Sequence, residues 1–190
     1  SDASETYRTD AVVLMIEVSD VEDSDEEVTV TIEHMAPQGS WSSSYISSLW
    51  FNSSSQRWQA NFTPPISATL GDYDVRVMVT DADDGTSAWS TFSDNITVLN
   101  NAPVFQNYVT SADEVLRTST IVIGVNSTDT EDSETAHTVT IQYRAPSGDW
   151  TTSDLSTVWY HSAAGRWESN FTPVASSELG VYDFRINVTD

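Results

Sequence analysis

Laid over itself with a shift of 109 residues, the chain matches residues 11–81 to residues 120–190 without a gap, and 32 of those 71 positions are identical. Ala36-Pro37, Gly39 and Trp41 fall on Ala145-Pro146, Gly148 and Trp150. Trp50 falls on Trp159, and Arg57-Trp58 on Arg166-Trp167. Asn61-Phe-Thr-Pro64 falls on Asn170-Phe-Thr-Pro173, and Leu70-Gly71, Tyr73-Asp74, Arg76 and Thr80-Asp81 recur in order up to Asp190. A tandem duplication of this kind demands a unit that folds twice, so whatever fold is inferred must fit about 100 residues.

The periodicity inside the repeat is that of strands. Val12, Leu14, Ile16 and Val18 alternate with residues of the other face, and Ile121, Ile123 and Val125 are their copies. Val28, Val30 and Ile32 point inward on the next strand, copied by Val139, Ile141 and Tyr143. Ala-Pro-x-Gly makes a turn, because Pro fixes φ and Gly permits positive φ. A short strand around Leu49-Trp50-Phe51 leads through a hairpin to Trp58, Ala60 and Phe62, and Pro64-Pro65 ends that strand. The alternating run Tyr73-Asp-Val-Arg-Val-Met-Val-Thr-Asp81 follows, then the strand Asn95-Ile-Thr-Val-Leu99. No segment has helical periodicity. Six or seven short strands per repeat predict an all-β protein of two tandem Greek-key β-sandwiches. The predicted core is Trp50, Trp58, Phe62 and Tyr73, with Trp159, Trp167, Phe171 and Tyr182 as copies.

The repeat boundaries predict domains at 1–101 and 102–190. The first has no counterpart of residues 103–109, so it is expected to lack its first strand. The second stops before a counterpart of residues 95–99 and is expected to lack its last. An excerpt of a longer array is one reading of these ends. Donation of the missing strand by a neighbour in a polymer is the other.

Charge excludes whole classes of partner. Twenty-nine acidic residues face seven basic ones, all Arg, for a net charge of −22. Such a surface repels nucleic acid and anionic lipid, and no apolar run approaches a membrane span. It favours solubility, divalent cations and salty surroundings. Seven Trp, seven Tyr and six Phe argue against disorder. The absence of Cys removes disulfide and thiolate chemistry. His34, His137 and His161 lack metal-ligand spacing, and no nucleophile motif is present, so no enzymatic activity is expected.

A family resemblance rests on particular stretches. The run ending at Asp81, with Ile96-Thr-Val-Leu-Asn-Asn-Ala-Pro-Val-Phe105, resembles the end of a cadherin repeat and its linker. Ser111-Ala-Asp-Glu114 and Asp129-x-Glu131 resemble two further cadherin segments. The linker lacks the cadherin aspartate at Leu99-Asn100-Asn101, and Leu70-Gly-Asp-Tyr73 stands where cadherins carry Asp-Arg-Glu. Overall the chain more closely resembles the immunoglobulin/cadherin-like repeats of archaeal and bacterial cell-surface proteins. That resemblance implies an adhesin, surface-layer or extracellular filament role.

Two kinds of site follow. Ca²⁺ takes six to eight oxygens, several from carboxylates. Asp81, Asp83 and Asp84 before Gly85 have the spacing of a short calcium loop, and Asn100, Asn101, Glu114, Asp129 and Glu131 are expected nearby at the hinge. An acidic protein also carries such loops as plain solvated surface, so both readings stand. Sequons for N-linked glycans occur at Asn52, Asn61, Asn95, Asn126, Asn170 and Asn187, which implies an extracellular location if used. Trp41, Trp89 and Trp150 lie in loops and are the candidates for a sugar platform. A carbohydrate-binding accessory module of a secreted enzyme, with a glycan or cell-surface ligand, is therefore the rival to a structural or adhesive role. Arg57, Arg76, Arg166 and Arg185 are expected to pair with acidic residues across strands, Asp74 and Asp183 among them.

Overall fold

A computed structural model describes residues 4–190. The chain divides into two compact units, Ser1–Asn101 and Ala102–Asp190. Each is an immunoglobulin-like β-sandwich with its own core.

Unit 1 has seven strands among the described residues: β1 (Ser4–Tyr7), β2 (Val12–Ile16), β3 (Thr29–Met35), β4 (Trp50–Asn52), β5 (Arg57–Phe62), β6 (Gly71–Thr80) and β7 (Ser90–Leu99). One sheet has the order β1-β7-β6-β3, the other β2-β5-β4. Alternation decides which side chains meet between them. Val30, Ile32, Tyr73, Val75, Val77, Ile96 and Val98 come from the first sheet, and Ala60 and Phe62 from the second. Val12, Leu14, Ile16 and Trp58 pack on this cluster. At its centre His34 is stacked on Tyr45, with ring centroids 4.4 Å apart, and meets Phe62 edge-on at 5.4 Å.

Unit 2 has six strands among the described residues: β8 (Val104–Thr110), β9 (Ile121–Thr128), β10 (Thr138–Arg144), β11 (Trp159–His161), β12 (Arg166–Phe171) and β13 (Asp183–Thr189). Its sheets have the orders β11-β12-β9-β8 and β10-β13. Under the repeat, β9 to β12 match β2 to β5, and β13 matches β6. β8 has no described counterpart in unit 1, and β7 has none in unit 2.

β1 is held in parallel register against β7, Ser4 to Ile96 through Tyr7 to Leu99. The matching residues 113–116 have no such partner and form no strand. A glycine turn survives in both units. Gly71 has φ of 114° and packs against Pro37, while Gly180 has φ of 143° and packs against Pro146. A side chain at either would strain the backbone and strike the proline ring.

The predicted core needs one correction. Phe62, Tyr73 and Phe171 are fully buried, and Trp58, Trp167 and Tyr182 are partly buried against the two cores. Trp50 and Trp159 are 40% and 37% exposed. In the hairpin Phe51 lies opposite Trp58, and Tyr160 opposite Trp167. The inward residue of this three-residue strand is therefore the next one, since a shift of one residue exchanges the faces. Its ring meets the tryptophan edge-on, at 5.8 Å in unit 1 and 5.4 Å in unit 2.

The units also differ inside. Val18 and Val28 of unit 1 are matched by Ser127 and His137, both 2% exposed. The Ser127 hydroxyl and His137 Nδ1 are 2.7 Å apart, so an apolar contact has become a hydrogen bond. His34 is matched by Tyr143, whose hydroxyl reaches Ser153 at 2.9 Å. This exchange supports a prediction. Burial holds His34 below the ordinary imidazole range, because the charged ring loses its water. The unfolded chain then binds the proton more readily, so the contribution of neutral His34 is full above about pH 6.5 and is lost as pH falls from there. The expected result is a fall in unit 1 stability between neutral pH and pH 5, reduced in His34→Tyr. Urea unfolding of both proteins across that range measures the difference, and equal slopes would refute it.

Candidate functional site

The acidic loops gather at one end of each sandwich, and an indole holds each in place. Trp58 Nε1 donates to the Asp25 carbonyl at 2.8 Å. The matching Trp167 Nε1 donates to the Glu134 carbonyl at 3.0 Å. Asp20 then caps its own loop, with Oδ1 accepting from the amides of Glu22 and Asp23. These bonds hold its carboxyl below the usual carboxylate range. Asp129 Oδ1 accepts from the matching amides of Glu131 and Asp132, at 2.7 and 3.0 Å.

The residues expected to hold calcium fall into separate settings. Asp81 closes the β6–β7 turn, with Oδ1 accepting from the amides of Asp83 at 2.9 Å and Gly85 at 2.7 Å. Asp83 and Asp84 are exposed on that turn. Asp23 Oδ2 accepts from the next amide, Ala82, at 3.2 Å and ties the two acidic loops of unit 1 together. Asn100 and Asn101 serve the end of the β1–β7 pair. Arg8 donates to Asn100 Oδ1 at 3.2 Å, and Asn101 Nδ2 donates to the Arg8 carbonyl at 3.2 Å. In unit 2, Glu114 is exposed and Glu131 is half-buried.

Among the described residues, one carboxylate group has metal-binding spacing. Ligand atoms of Asp129, Asp132 and Asp190 lie within 4.8 Å of one another. Asp132 and Asp190 lie outside the expected ligand set. The 109-residue period contained the signal, because these three match Asp20, Asp23 and Asp81. All three present the hard oxygen donors that Ca²⁺ takes, short of the six to eight it needs without water or other groups.

The loop tryptophans are engaged by arginine. Trp41 and Trp89 lie over Arg76, at 4.4 and 4.1 Å from ring centroid to guanidinium carbon, and Arg76 also pairs with Glu33. Trp150 lies over Arg185 at 4.6 Å and Arg144 at 5.0 Å. A flat guanidinium stacks on aromatic faces while its edge donates hydrogen bonds, which an ammonium cannot do. All three tryptophans are half-buried.

The arginine pairings differ in part from expectation. Arg57 meets Glu17 at 3.1 Å across strands. Asp74 instead accepts from the Asp94 amide, and Asp183 pairs with Arg144. Arg185 donates to Gln142 at 2.7 Å. Arg166 pairs along its own strand, with Nε 2.8 Å from Glu168 Oε1. His161 Nδ1 lies 2.9 Å from the other oxygen of Glu168, which is 4% exposed. Gly124 makes room for this cluster, since a Cβ there would lie 2.9 Å from Arg166 Nε. Burial pushes the Glu168 carboxyl up, but the hydrogen bonds from Arg166 and His161 outweigh it and leave the group below its ordinary value.

Among the sequons, Asn187 is exposed on β13, and Asn52, Asn61, Asn95, Asn126 and Asn170 are half-buried. Asn126 Nδ2 donates to the Gly165 carbonyl at 2.8 Å, and Asn52 Nδ2 donates to Gln59 at 3.2 Å.

No family model matches the chain, and no curated protein matches it. Among solved structures, the crystal structure of the titin domains Z1Z2 in complex with telethonin is similar. It shares 14% sequence identity over 99% of this chain and 85% of that one, with a TM-score of 0.45.

Proposed function

We propose that the chain is a non-enzymatic structural module of an extracellular microbial surface array or filament. It is assembled from 109-residue sandwich repeats, and neighbouring repeats of the same kind are its partners. N-linked glycans on exposed sequons, Asn187 foremost, belong to this reading.

One observation carries it. The first and last strands of unit 1 are hydrogen-bonded in parallel, β1 against β7. Tension applied at the start of β1 and the end of β7 pulls these strands lengthwise past each other. Their bonds are then loaded together in shear, rather than opened one at a time. Arg8 reinforces the same end, with Nε donating to the Ala68 carbonyl at 2.9 Å as well as bonding Asn100. Such a unit suits a quasi-one-dimensional array that carries load along its length.

Stretching single molecules of the whole chain by its ends tests this. The expected record has two unfolding events of unequal force, the stronger from unit 1, because residues 113–116 of unit 2 form no matching parallel pair. Two equally weak events would remove the mechanical argument. Specific retention on one polysaccharide or glycan in an array would favour the carbohydrate-binding alternative instead.

A further inference from the structure

In unit 2, Trp159 lies opposite Glu168 and His161 opposite Arg166 across β11 and β12. Alternation puts these four side chains together on the outward face of the sheet. Glu168 is nevertheless 4% exposed, on the side of a sheet that water normally covers. Gly124, opposite Glu168 on β9, leaves the space that Arg166 fills. Glu168 fixes two neighbours at once. Its Oε1 accepts from Arg166 Nε at 2.8 Å, and its Oε2 lies 2.9 Å from His161 Nδ1. A carboxylate only accepts, so the Nδ1 of His161 carries the proton.

The outer atoms of this cluster are unused. The side chains of Arg166 and His161 are 29% and 47% exposed, and Trp159 is 37% exposed. Among the described residues, no hydrogen bond engages the terminal nitrogens of Arg166, Nε2 of His161 or Nε1 of Trp159.

The duplication indicates what such an arginine takes. In unit 1 the matching four are Trp50, Gln59, Asn52 and Arg57. There Arg57 Nη2 pairs with Glu17 Oε2 at 3.1 Å. Glu17 is matched by Asn126, whose Nδ2 donates to the Gly165 carbonyl, and Met15 is matched by Gly124. Unit 2 thus keeps the arginine, lacks the carboxylate that meets its terminal edge and has no side chain in the place of Met15. The sheet does not replace that carboxylate, because Glu168 is the only acidic residue in β8, β9, β11 and β12.

We infer that this outward face of unit 2 binds a sugar acid, a pyranose bearing a carboxylate. The carboxylate takes the terminal nitrogens of Arg166, a fork that suits two parallel hydrogen bonds. The ring lies on the indole of Trp159, a flat apolar face with a polar edge. In the tautomer that Glu168 selects, His161 Nε2 accepts from a ring hydroxyl, as does Asn126 Oδ1. This goes beyond the load-bearing role of unit 1 and does not rest on it.

Methyl glucuronoside and methyl galacturonoside are the probes, titrated into the whole chain and followed by calorimetry and the indole NMR signals. At least one is expected to saturate a single site with roughly millimolar affinity, as suits so small a ligand. Methyl glucoside, which has a hydroxymethyl group in place of the carboxylate, binds roughly tenfold more weakly. Acetate, which has no ring, also binds roughly tenfold more weakly. Asn126→Glu restores the carboxylate that unit 1 carries and lowers affinity roughly tenfold or more, with Arg166 and Glu168 untouched. Trp159→Ala lowers it roughly fivefold and serves where Asn126→Glu disturbs the fold. Saturation by neither probe, equal binding of the glucoside or of acetate, or affinity unmoved by either variant would each overturn the proposal. Self-association that Asn126→Glu abolishes and the probes do not compete would assign Arg166 to a carboxylate of a second copy, and would overturn it too. A sugar held this weakly does not retain one chain on a glycan surface, so the outcome is separate from the force record of unit 1 and from the glycan-array test.

Discussion

Phe62→Ala is expected to destabilise unit 1 by about 4 kcal/mol, the usual cost of emptying a phenylalanine site in a closed core. Phe62 is fully buried and joins the sheets, meeting His34, Tyr45 and Tyr73 at centroid distances of 5.4, 6.0 and 5.6 Å. It also sits at the end of β5, opposite Val12, so the void opens where β2 is attached. The β-sandwich cannot collapse onto this space without breaking the alternation of both sheets. The loss amounts to a fall of roughly 15–30 °C in the melting temperature of a domain this size. Calorimetry, with NMR of the Ile121 and Ile123 methyl groups to follow unit 2 separately, measures it. A shift of only a few degrees would mean that the hole is refilled by neighbouring rings.

Arg166→Met should be the second most damaging change, in unit 2. Glu168 is buried, and the substitution removes the cation that holds one of its oxygens. Leaving a buried carboxylate short of a partner costs about 2–3 kcal/mol. The pair is not irreplaceable, because unit 1 has Gln59 in the place of Glu168, bonded by Asn52. The double variant Arg166→Met with Glu168→Gln should therefore recover most of the loss. The pH dependence follows from the sign of the Glu168 shift. Its carboxyl lies below the ordinary value in the folded state, so its contribution is full above about pH 4.5 and is lost as pH falls from there through the folded value. Glu168→Gln should flatten that part of the curve. Denaturant unfolding of parent, single and double variants from neutral pH into this range tests both claims. Failure of the double variant to recover would show that Arg166 acts through packing of its alkyl stem, not through charge.

Much of the fold is readable in the chain because strand alternation and burial are one physical fact. Val28, Val30 and Ile32, or Ala60 and Phe62, face inward at every second position, as a half-buried strand requires. Trp50 and Trp159 were misplaced because a three-residue edge strand offers too few positions to decide its own parity, and size alone favoured the tryptophan. The arginine–tryptophan stacks were not legible, since they join residues from three separate segments. Trp41, Arg76 and Trp89 come together only once the sheet order is known. The carboxylate group at Asp129, Asp132 and Asp190 was hidden for a different reason. Local spacing drew attention to Asp81–Asp84, whereas the repeat, applied to the acidic residues themselves, would have singled out the matching triads.

The choice of arginine as the sole cation has a consequence for the medium in which such a chain holds together. Repulsion among 29 carboxylates acts over several ångströms of water and fades as salt rises. Stacking of Arg76 with Trp41 and Trp89, and the guanidinium fork on Glu33, act at contact and in partial shelter from solvent. Salt therefore relieves the force that opens the sandwich more than it weakens the contacts that close it. The folded molecule is therefore expected to gain stability as salt rises.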